Sequence, residues 1–294
     1  MDWKSRRIEA ILEQALVEDK ATHDVTTAVT IEPSLRASAT IIARQDCVVA
    51  GLGCISRFLE IFSRLDRRDH GRFEVIHHPE IFDGVRVTKG HALAVIRHQA
   101  SVILSCERVI LNLMQRMSGI ATLTRQYVDA IAGTSARILD TRKTVPGMRL
   151  LDKYAVRCGG GQNHRLDLSD GILIKNNHIS LGGGIEKVLR RAHELRQPGQ
   201  TIDVEVRTFD ELKIALDNGA ESLLLDNMTP DEVKKAVGIV RKRGLKIPIE
   251  ASGGMNLETV RKYAVTGVDY ISVGALTHSA IAVDLSMKIT AEIY

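Results

Sequence analysis

Thr201–Gly254 reads TIDVEVRTFDELKIALDNGAESLLLDNMTPDEVKKAVGIVRKRGLKIPIEASGG. Apolar runs in it end at Val206, Asp226 and Glu250, and the segments between them carry helix-start signals. Thr208 with Glu211 three residues on forms a capping box, and Thr229-Pro230-Asp231-Glu232 forms a second with proline at the first helical position. Strands that recur about every twenty residues with helices between them are parallel β/α units, because a parallel pair needs a long crossover. Further strand-like runs end at Asp140, Lys175 and Val273, and Asn256 is placed to cap the helix after Glu250.

Two layouts suit such units: an open doubly wound sheet and a closed barrel. Single ionisable residues interrupt or end the apolar strands, namely Lys175, Glu205, Asp226 and Glu250. In a parallel barrel all strand C-termini open on one face, where catalytic groups collect. Ser252-Gly253-Gly254 and Gly274-Ala275 follow two successive strands, and glycines there let backbone N–H groups approach a phosphate. No G-x-G-x-x-G opens a helix, which counts against a dinucleotide-binding sheet. The expected fold is α/β, a TIM-like parallel β/α barrel, complete or incomplete, over residues 119–276.

An α+β domain over residues 1–118 precedes it. Ile8, Ile11, Leu12, Ala15 and Leu16 fall at helical spacing, and strand-like runs follow at Ser38–Ala43, Phe73–Ile76 and Leu93–Ile96. A helix is expected from about Ser101 to Met117, ending near Ser118-Gly119. A C-terminal helix over about 277–294 is expected to pack back on this domain.

Within the expected barrel region lies Asp140–His178, DTRKTVPGMRLLDKYAVRCGGGQNHRLDLSDGILIKNNH. Arg142, Lys143, Arg149, Lys153, Arg157, His164, Arg165, Lys175 and His178 can carry positive charge, against Asp140, Asp152, Asp167 and Asp170. A solvated helix face is the bland use of such a run. Here Arg142 and Lys143 follow one strand, His164 and Arg165 follow Gly159–Gly161, and Lys175 and His178 end another strand. Cations at strand ends and beside a glycine loop read as an anion site. Glu205 and Asp226 are positioned to hold Mg²⁺ or sugar hydroxyls, with an ion pair to Lys143 or Lys175 as the competing use. His164 reads as a ligand-binding group or as a satisfied core histidine.

The whole-chain charge of +4 over 294 residues and an aromatic share of 4% give no footing for nucleic acid. No apolar run is long enough for a bilayer, and the charged first twenty residues lack a signal-peptide pattern, so no membrane partner is expected. Cys47, Cys54, Cys106 and Cys158 show no metal or redox spacing and read as buried thiols of a cytoplasmic protein.

The segments DTRKT, PGMRLLDKYAVRCGGGQNHR and ILIKNNHI resemble those of the quinolinate phosphoribosyltransferases, also called nicotinate-nucleotide pyrophosphorylases (carboxylating). The resemblance runs from Asp24-Val25-Thr26-Thr27 to GVDYISVGALTHS near the end. It implies phosphoribosyl transfer from phosphoribosyl pyrophosphate to quinolinate with decarboxylation, in NAD biosynthesis, with Mg²⁺ as cofactor. By the family pattern Arg142, His164, Arg165 and Lys175 surround quinolinate, and Arg108 joins them from a neighbouring subunit. Lys143, Glu205 and Asp226 face phosphoribosyl pyrophosphate and Mg²⁺ as the catalytic set, and Ser252, Gly253, Gly254 and Gly274 cradle the 5′-phosphate. A homodimer with shared sites is implied, open to assembly into a hexamer. Val145, Asn176 and Met255 stand where threonine, aspartate and isoleucine are common in the family. The competing readings are a related pyrophosphorylase for another base and a non-catalytic sensor of phosphorylated metabolites.

Overall fold

The computed structural model describes residues 1–66, 68 and 70–292. They form two compact units. One comprises Met1–Leu123, Val145–Gly160 and the chain from Ala280 onward, and the other comprises Thr124–Thr144 and Gly161–Ser279.

The first unit contains a four-stranded antiparallel sheet. Its strands β1 (Arg36–Ala43), β3 (Glu74–Ile76) and β5 (Ala92–Gln99) are joined by β12 (Leu285–Ala291) in the order β12-β1-β5-β3, and β2 (Cys47–Val48) pairs with β4 (Arg86–Val87). Along β1 every second residue is buried (Ala37, Ala39, Ile41 and Ala43), as one covered sheet face requires. Helix Arg6–Glu18 buries Ile8, Leu12 and Leu16, and helix Gly53–Asp66 buries Phe58, Leu59 and Phe62. Each such side chain contributes roughly 1.5–3 kcal/mol by leaving water.

Two expectations need correcting here. The chain end is not a helix: Leu285–Ala291 is a strand paired antiparallel to β1, Leu285 opposite Ala43 and Ala291 opposite Ala37. The helix expected to stop near Gly119 runs from Ala100 to Ala130. Gly119 marks a close approach instead, because a Cβ there would stand 2.2 Å from the Ile281 carbonyl oxygen. By contacts, Val145–Gly160 belongs with the first unit. Within it Asp152, wholly buried on helix Arg149–Cys158, accepts from Arg116 Nε at 3.0 Å and Nη2 at 2.8 Å, and Val145 N–H reaches the same carboxylate at 3.3 Å.

The second unit is built on six parallel strands: β6 (Arg137–Leu139), β7 (Ile172–Ile174), β8 (Ile202–Val206), β9 (Ser222–Asp226), β10 (Ile249–Ser252) and β11 (Tyr270–Ser272). Their spatial order is β6-β11-β10-β9-β8-β7, so the first strand pairs with the last. That pairing curls the sheet on itself, and a doubly wound sheet, whose order reverses midway, does not give it. The barrel reading is the correct one of the two, in a six-stranded and incomplete form. At the seam, Gln162 forms a parallel bridge with Leu139, donating to the Ile138 carbonyl at 2.8 Å and accepting from Asp140 N–H at 3.1 Å.

The helix starts follow the sequence signals. Thr229 Oγ1 accepts from Glu232 N–H and Glu232 Oε2 accepts from Thr229 N–H at 2.8 Å. Thr208 Oγ1 accepts from Glu211 N–H at 3.1 Å, while Glu211 Oε2 reaches one residue further, to Arg207 N–H at 2.7 Å. Asn256 caps a turn rather than the helix, its Oδ1 accepting from Glu258 and Thr259 amides at 3.0 Å, and the helix begins at Val260. Among the described residues no helix is long and apolar enough to cross a membrane.

Candidate active site

Strand parity builds the floor of a cleft of about 480 Å³ at the C-terminal ends of the barrel strands. Asp203 and Glu205 on β8 share one face of the strand, as do Ser222, Leu224 and Asp226 on β9 and Glu250 and Ser252 on β10. Leu173, Glu205, Leu224, Asp226, Glu250, Ser252 and Ser272 line the cleft. Arg142, Lys143, His164, Arg165, Lys175, Gly253, Gly254 and Gly274 complete its wall, together with Thr141, Asn227, Met255, Ala275 and His278. The structure thus brings together every site residue expected within the barrel. Arg108 is not among the lining residues; it lies on helix Ala100–Ala130 in the first unit, its side chain 69% exposed and 3.6 Å from Glu107.

One wall is cationic. Asp140, fully buried at the end of β6, accepts from His164 N–H at 2.9 Å and from Asn163 Nδ2 at 2.5 Å. These bonds and the Gln162 bridge stitch the His164–Arg165 loop to the strand that carries Arg142 and Lys143. His164 Nδ1 accepts from Arg165 N–H at 2.7 Å, so the neutral ring carries its proton on Nε2, which stands 3.3 Å from Glu250 Oε2. Arg165 donates to the Gly171 carbonyl at 2.9 Å. Burial, and then the neighbouring Arg142 charge, hold the Arg165 pKa below its ordinary value. Guanidinium groups placed to repel one another favour an anion between them. Arg142 Nε and Glu250 Oε1 are buried without a hydrogen-bond partner among the described residues, and both belong to lining residues. Below them burial pushes the Asp203 carboxyl up, against a hydrogen bond from Ser222.

The opposite wall is acidic. Glu205 and Asp226, on adjacent strands, are drawn to one guanidinium: Arg207 Nη2 lies 3.3 Å from Glu205 Oε1 and 3.0 Å from Asp226 Oδ2, and Arg207 Nε donates to that Asp226 oxygen at 3.0 Å. The competing ion pair expected with Lys143 or Lys175 is made by Arg207.

The third wall is backbone. Gly253 has φ +99°, and a Cβ on it would stand 2.3 Å from Asn227 Oδ1, so only glycine fits. Gly254 faces open space, and a Cβ on Gly274 would come within 3.0 Å of Lys143 Cδ and 3.2 Å of His278 Nε2. Thr277 Oγ1 donates to the Lys143 carbonyl at 2.9 Å, fixing the backbone beneath that lysine. His178, one of the basic residues of the stretch, instead turns back to accept from Lys175 N–H at 2.9 Å.

The barrel region, residues 120–288, matches the family model of the quinolinate phosphoribosyl transferase C-terminal domain, and residues 24–118 match that of its N-terminal domain. The chain belongs to the quinolinate phosphoribosyltransferase family. It is 40% identical over 284 residues to the probable nicotinate-nucleotide pyrophosphorylase (carboxylating) of Bacillus subtilis, covering 97% of this chain and 94% of that one. The crystal structure of NadC from Streptococcus pyogenes superposes with a TM-score of 0.90 at 34% identity over 100% of both chains. That of nicotinate-nucleotide pyrophosphorylase from Ehrlichia chaffeensis gives 0.86 at 38%, covering 96% of this chain and 98% of that one.

Against this quinolinate phosphoribosyltransferase background, several lining or supporting groups had escaped assignment to the site: Asp140, Asp203, Arg207, Asn227, Glu250 and His278. Glu250 and Asp203 carry the same signal as Glu205, an acid on the inward face of an apolar strand. Arg207 sits in a loop and His278 ends the short helix Ala275–His278, where a charged or polar residue gives no such contrast.

Proposed function

We infer that this cleft transfers phosphoribose from phosphoribosyl pyrophosphate to quinolinate, releasing pyrophosphate and CO₂ and leaving nicotinate mononucleotide, a step of NAD biosynthesis. The observation that carries the reading is that Arg142 and Arg165 line one cleft with the backbone of Gly253, Gly254 and Gly274, with Arg142 Nε buried and without a hydrogen-bond partner among the described residues. Quinolinate bears two carboxylates, the anions that planar guanidinium forks hold best. Arg142, Arg165 and Lys175 bind them, and His164, its proton on Nε2, is oriented by Glu250. The 5′-phosphate lies against the N–H groups of Gly253, Gly254 and Gly274, with Ser252 beside them.

Chemistry follows from where charge develops. As pyrophosphate departs, Lys143 stabilises its growing negative charge and the ribosyl centre becomes oxocarbenium-like. The quinolinate ring nitrogen has no proton to lose, so its attack needs positioning and no general base. Once ribosylated, the positive ring nitrogen stabilises the carbanion left on the adjacent carbon when its carboxylate departs as CO₂, and water or Lys143 supplies the proton that this carbon takes up.

Glu205 and Asp226 fit Mg²⁺, because their carboxylates already converge on a single cation, the Arg207 guanidinium. Among the described residues no cluster of three protein groups is arranged to hold a metal, and Mg²⁺ commonly takes one or two carboxylates plus substrate phosphates. When bound there it neutralises charge on the pyrophosphate. Arg108, exposed in the first unit, is read as the partner subunit's contribution to the quinolinate pocket, in a homodimer open to further assembly as a hexamer. The four free, buried cysteines support a reducing, cytoplasmic setting.

Measuring pyrophosphate release with quinolinate or nicotinate, and CO₂ release with quinolinate, in the presence of phosphoribosyl pyrophosphate and Mg²⁺ tests the assignment. Quinolinate should release CO₂ in step with pyrophosphate. Nicotinate lacks the carboxylate beside the ring nitrogen and leaves a buried cation unpaired, a loss of roughly 2–3 kcal/mol or more in catalytic efficiency. Comparable efficiency on the two bases, or no CO₂, overturns it.

A further inference from the structure

Arg207 stands directly after β8, at the start of the loop that carries Thr208. Its backbone is fixed, because Glu211 Oε2 accepts its N–H at 2.7 Å, while its side chain is 45% exposed and has room to swing. One terminal nitrogen of that side chain contacts both Glu205 and Asp226, whose own side chains are 9% and 14% exposed. The guanidinium therefore occupies the place between two mostly buried carboxylates where a divalent cation would gain most.

We propose that Arg207 is an internal counter-ion that bars free divalent cations from the Glu205–Asp226 pair until phosphoribosyl pyrophosphate arrives. The inference rests on the reading of those two acids as the metal-holding pair. Without Arg207 the two carboxylates present two negative charges in a half-dry cleft; with it they present one, and a doubly charged ion also meets a like charge. The diphosphate changes the balance by bringing its own oxygens as metal ligands. The guanidinium then leaves along its exposed side, with its backbone still held by Glu211. Metal entry thus follows substrate entry, and unproductive metal binding to the empty enzyme is suppressed. Arg207 acts as a positioning residue and touches no reacting atom.

The probe is Mn²⁺, its affinity read by electron paramagnetic resonance on the full-length, ligand-free enzyme and again with phosphoribosyl pyrophosphate. Wild type should bind Mn²⁺ weakly alone and more tightly with the diphosphate. Arg207→Gln should bind Mn²⁺ alone about tenfold more tightly, with a correspondingly smaller gain from the diphosphate. Arg207→Lys, which keeps the charge and loses the fork, should fall between the two. Glu205→Gln combined with Asp226→Asn should abolish the extra affinity in the Arg207→Gln background. If Arg207→Gln leaves Mn²⁺ affinity unchanged while the acid substitutions weaken Mn²⁺ binding in the diphosphate complex, the counter-ion role is wrong and the metal reading stands. If the acid substitutions alter Mn²⁺ binding in neither state, the metal reading fails and the counter-ion role with it.

Discussion

Glu205 and Asp226 are acids that apolar strands hold mostly out of water, and such groups persist only with a partner. Replacing either by its amide keeps side-chain shape and strands only Arg207, which is nearly half exposed, so the fold should lose little. Turnover of Glu205→Gln or Asp226→Asn should nevertheless fall on the order of 10²-fold at saturating Mg²⁺, while the melting temperature moves by little. Near-normal turnover in both variants removes the metal and ribose roles given to them. A second acid–base consequence lies far from the chemistry. His98 on β5 is fully buried with neither ring nitrogen hydrogen-bonded among the described residues. Burial, and then the charges of His70 and Arg36, lower its pKa from 6.5 to about 4. The unfolded chain therefore takes up this proton first as pH falls. Stability is lost between about 6.5 and 4 and levels off below, by on the order of 2–3 kcal/mol. His98→Phe should flatten that limb of a melting-temperature profile against pH, and an unchanged limb assigns the loss elsewhere. The residues of the cleft also differ in legibility. The strand-end acids stood out because a charge inside an apolar run is conspicuous. Asp140 and Arg207 act through partners that only the folded chain supplies.

Elements show the same contrast between local and distant causes. The helices after β8 and β9 could be read from sequence because their start signals, Thr208 with Glu211 and Thr229 with Glu232, lie within four residues. Strand β12 could not, since its partner β1 lies some 250 residues upstream and its mixed burial shows no clean alternation. Helix Arg149–Cys158 announces a buried face but not the unit that covers it, and the Arg116–Asp152 bond that places it spans 36 residues. Gly119 misled because glycine usually punctuates, whereas here it admits a neighbouring backbone. That difference is measurable against a second helical glycine. Gly238, inside helix Pro230–Lys242, has open space where a methyl group would stand, with no atom within 4 Å, so Gly238→Ala should stabilise by about 0.5–1 kcal/mol through helix propensity. Gly119→Ala gains the same propensity but drives its methyl to 2.2 Å from the Ile281 oxygen and 3.1 Å from Ala282 Cα. It should destabilise by roughly 1–3 kcal/mol or more, seen as a shift in denaturation midpoint opposite in sign to Gly238→Ala. Shifts of the same sign mean that the 280–282 segment yields, and that the close approach does not explain the glycine.

At the scale of the whole molecule the question is which subunit completes the quinolinate pocket. Arg142, His164, Arg165 and Lys175 line the barrel cleft of one chain, while Arg108 is exposed on the first unit's long helix and faces a glutamate 3.6 Å away. An exposed arginine in that setting contributes little to its own fold, which leaves it available for the recognition role proposed for it. On the proposed reading that use lies in a neighbouring subunit, and the proposed functional particle is a symmetric dimer with two shared sites, each built from one chain's Arg108 and the other chain's barrel. Arg108→Ala and Arg142→Ala should each be nearly inactive and normally folded, since neither side chain carries core packing. Mixed in equal amounts and allowed to exchange subunits, the two variants form about half mixed dimers by random pairing. Each mixed dimer holds one site in which both arginines are wild type and one in which both are lost. Roughly a quarter of wild-type activity should therefore return, with an unchanged KM for quinolinate, because every working site is intact. Sites completed within single chains recover nothing under the same mixing, because every chain then carries one defect. Absence of recovery, with exchange demonstrated by differently tagged subunits, assigns Arg108 to its own chain or to no site at all.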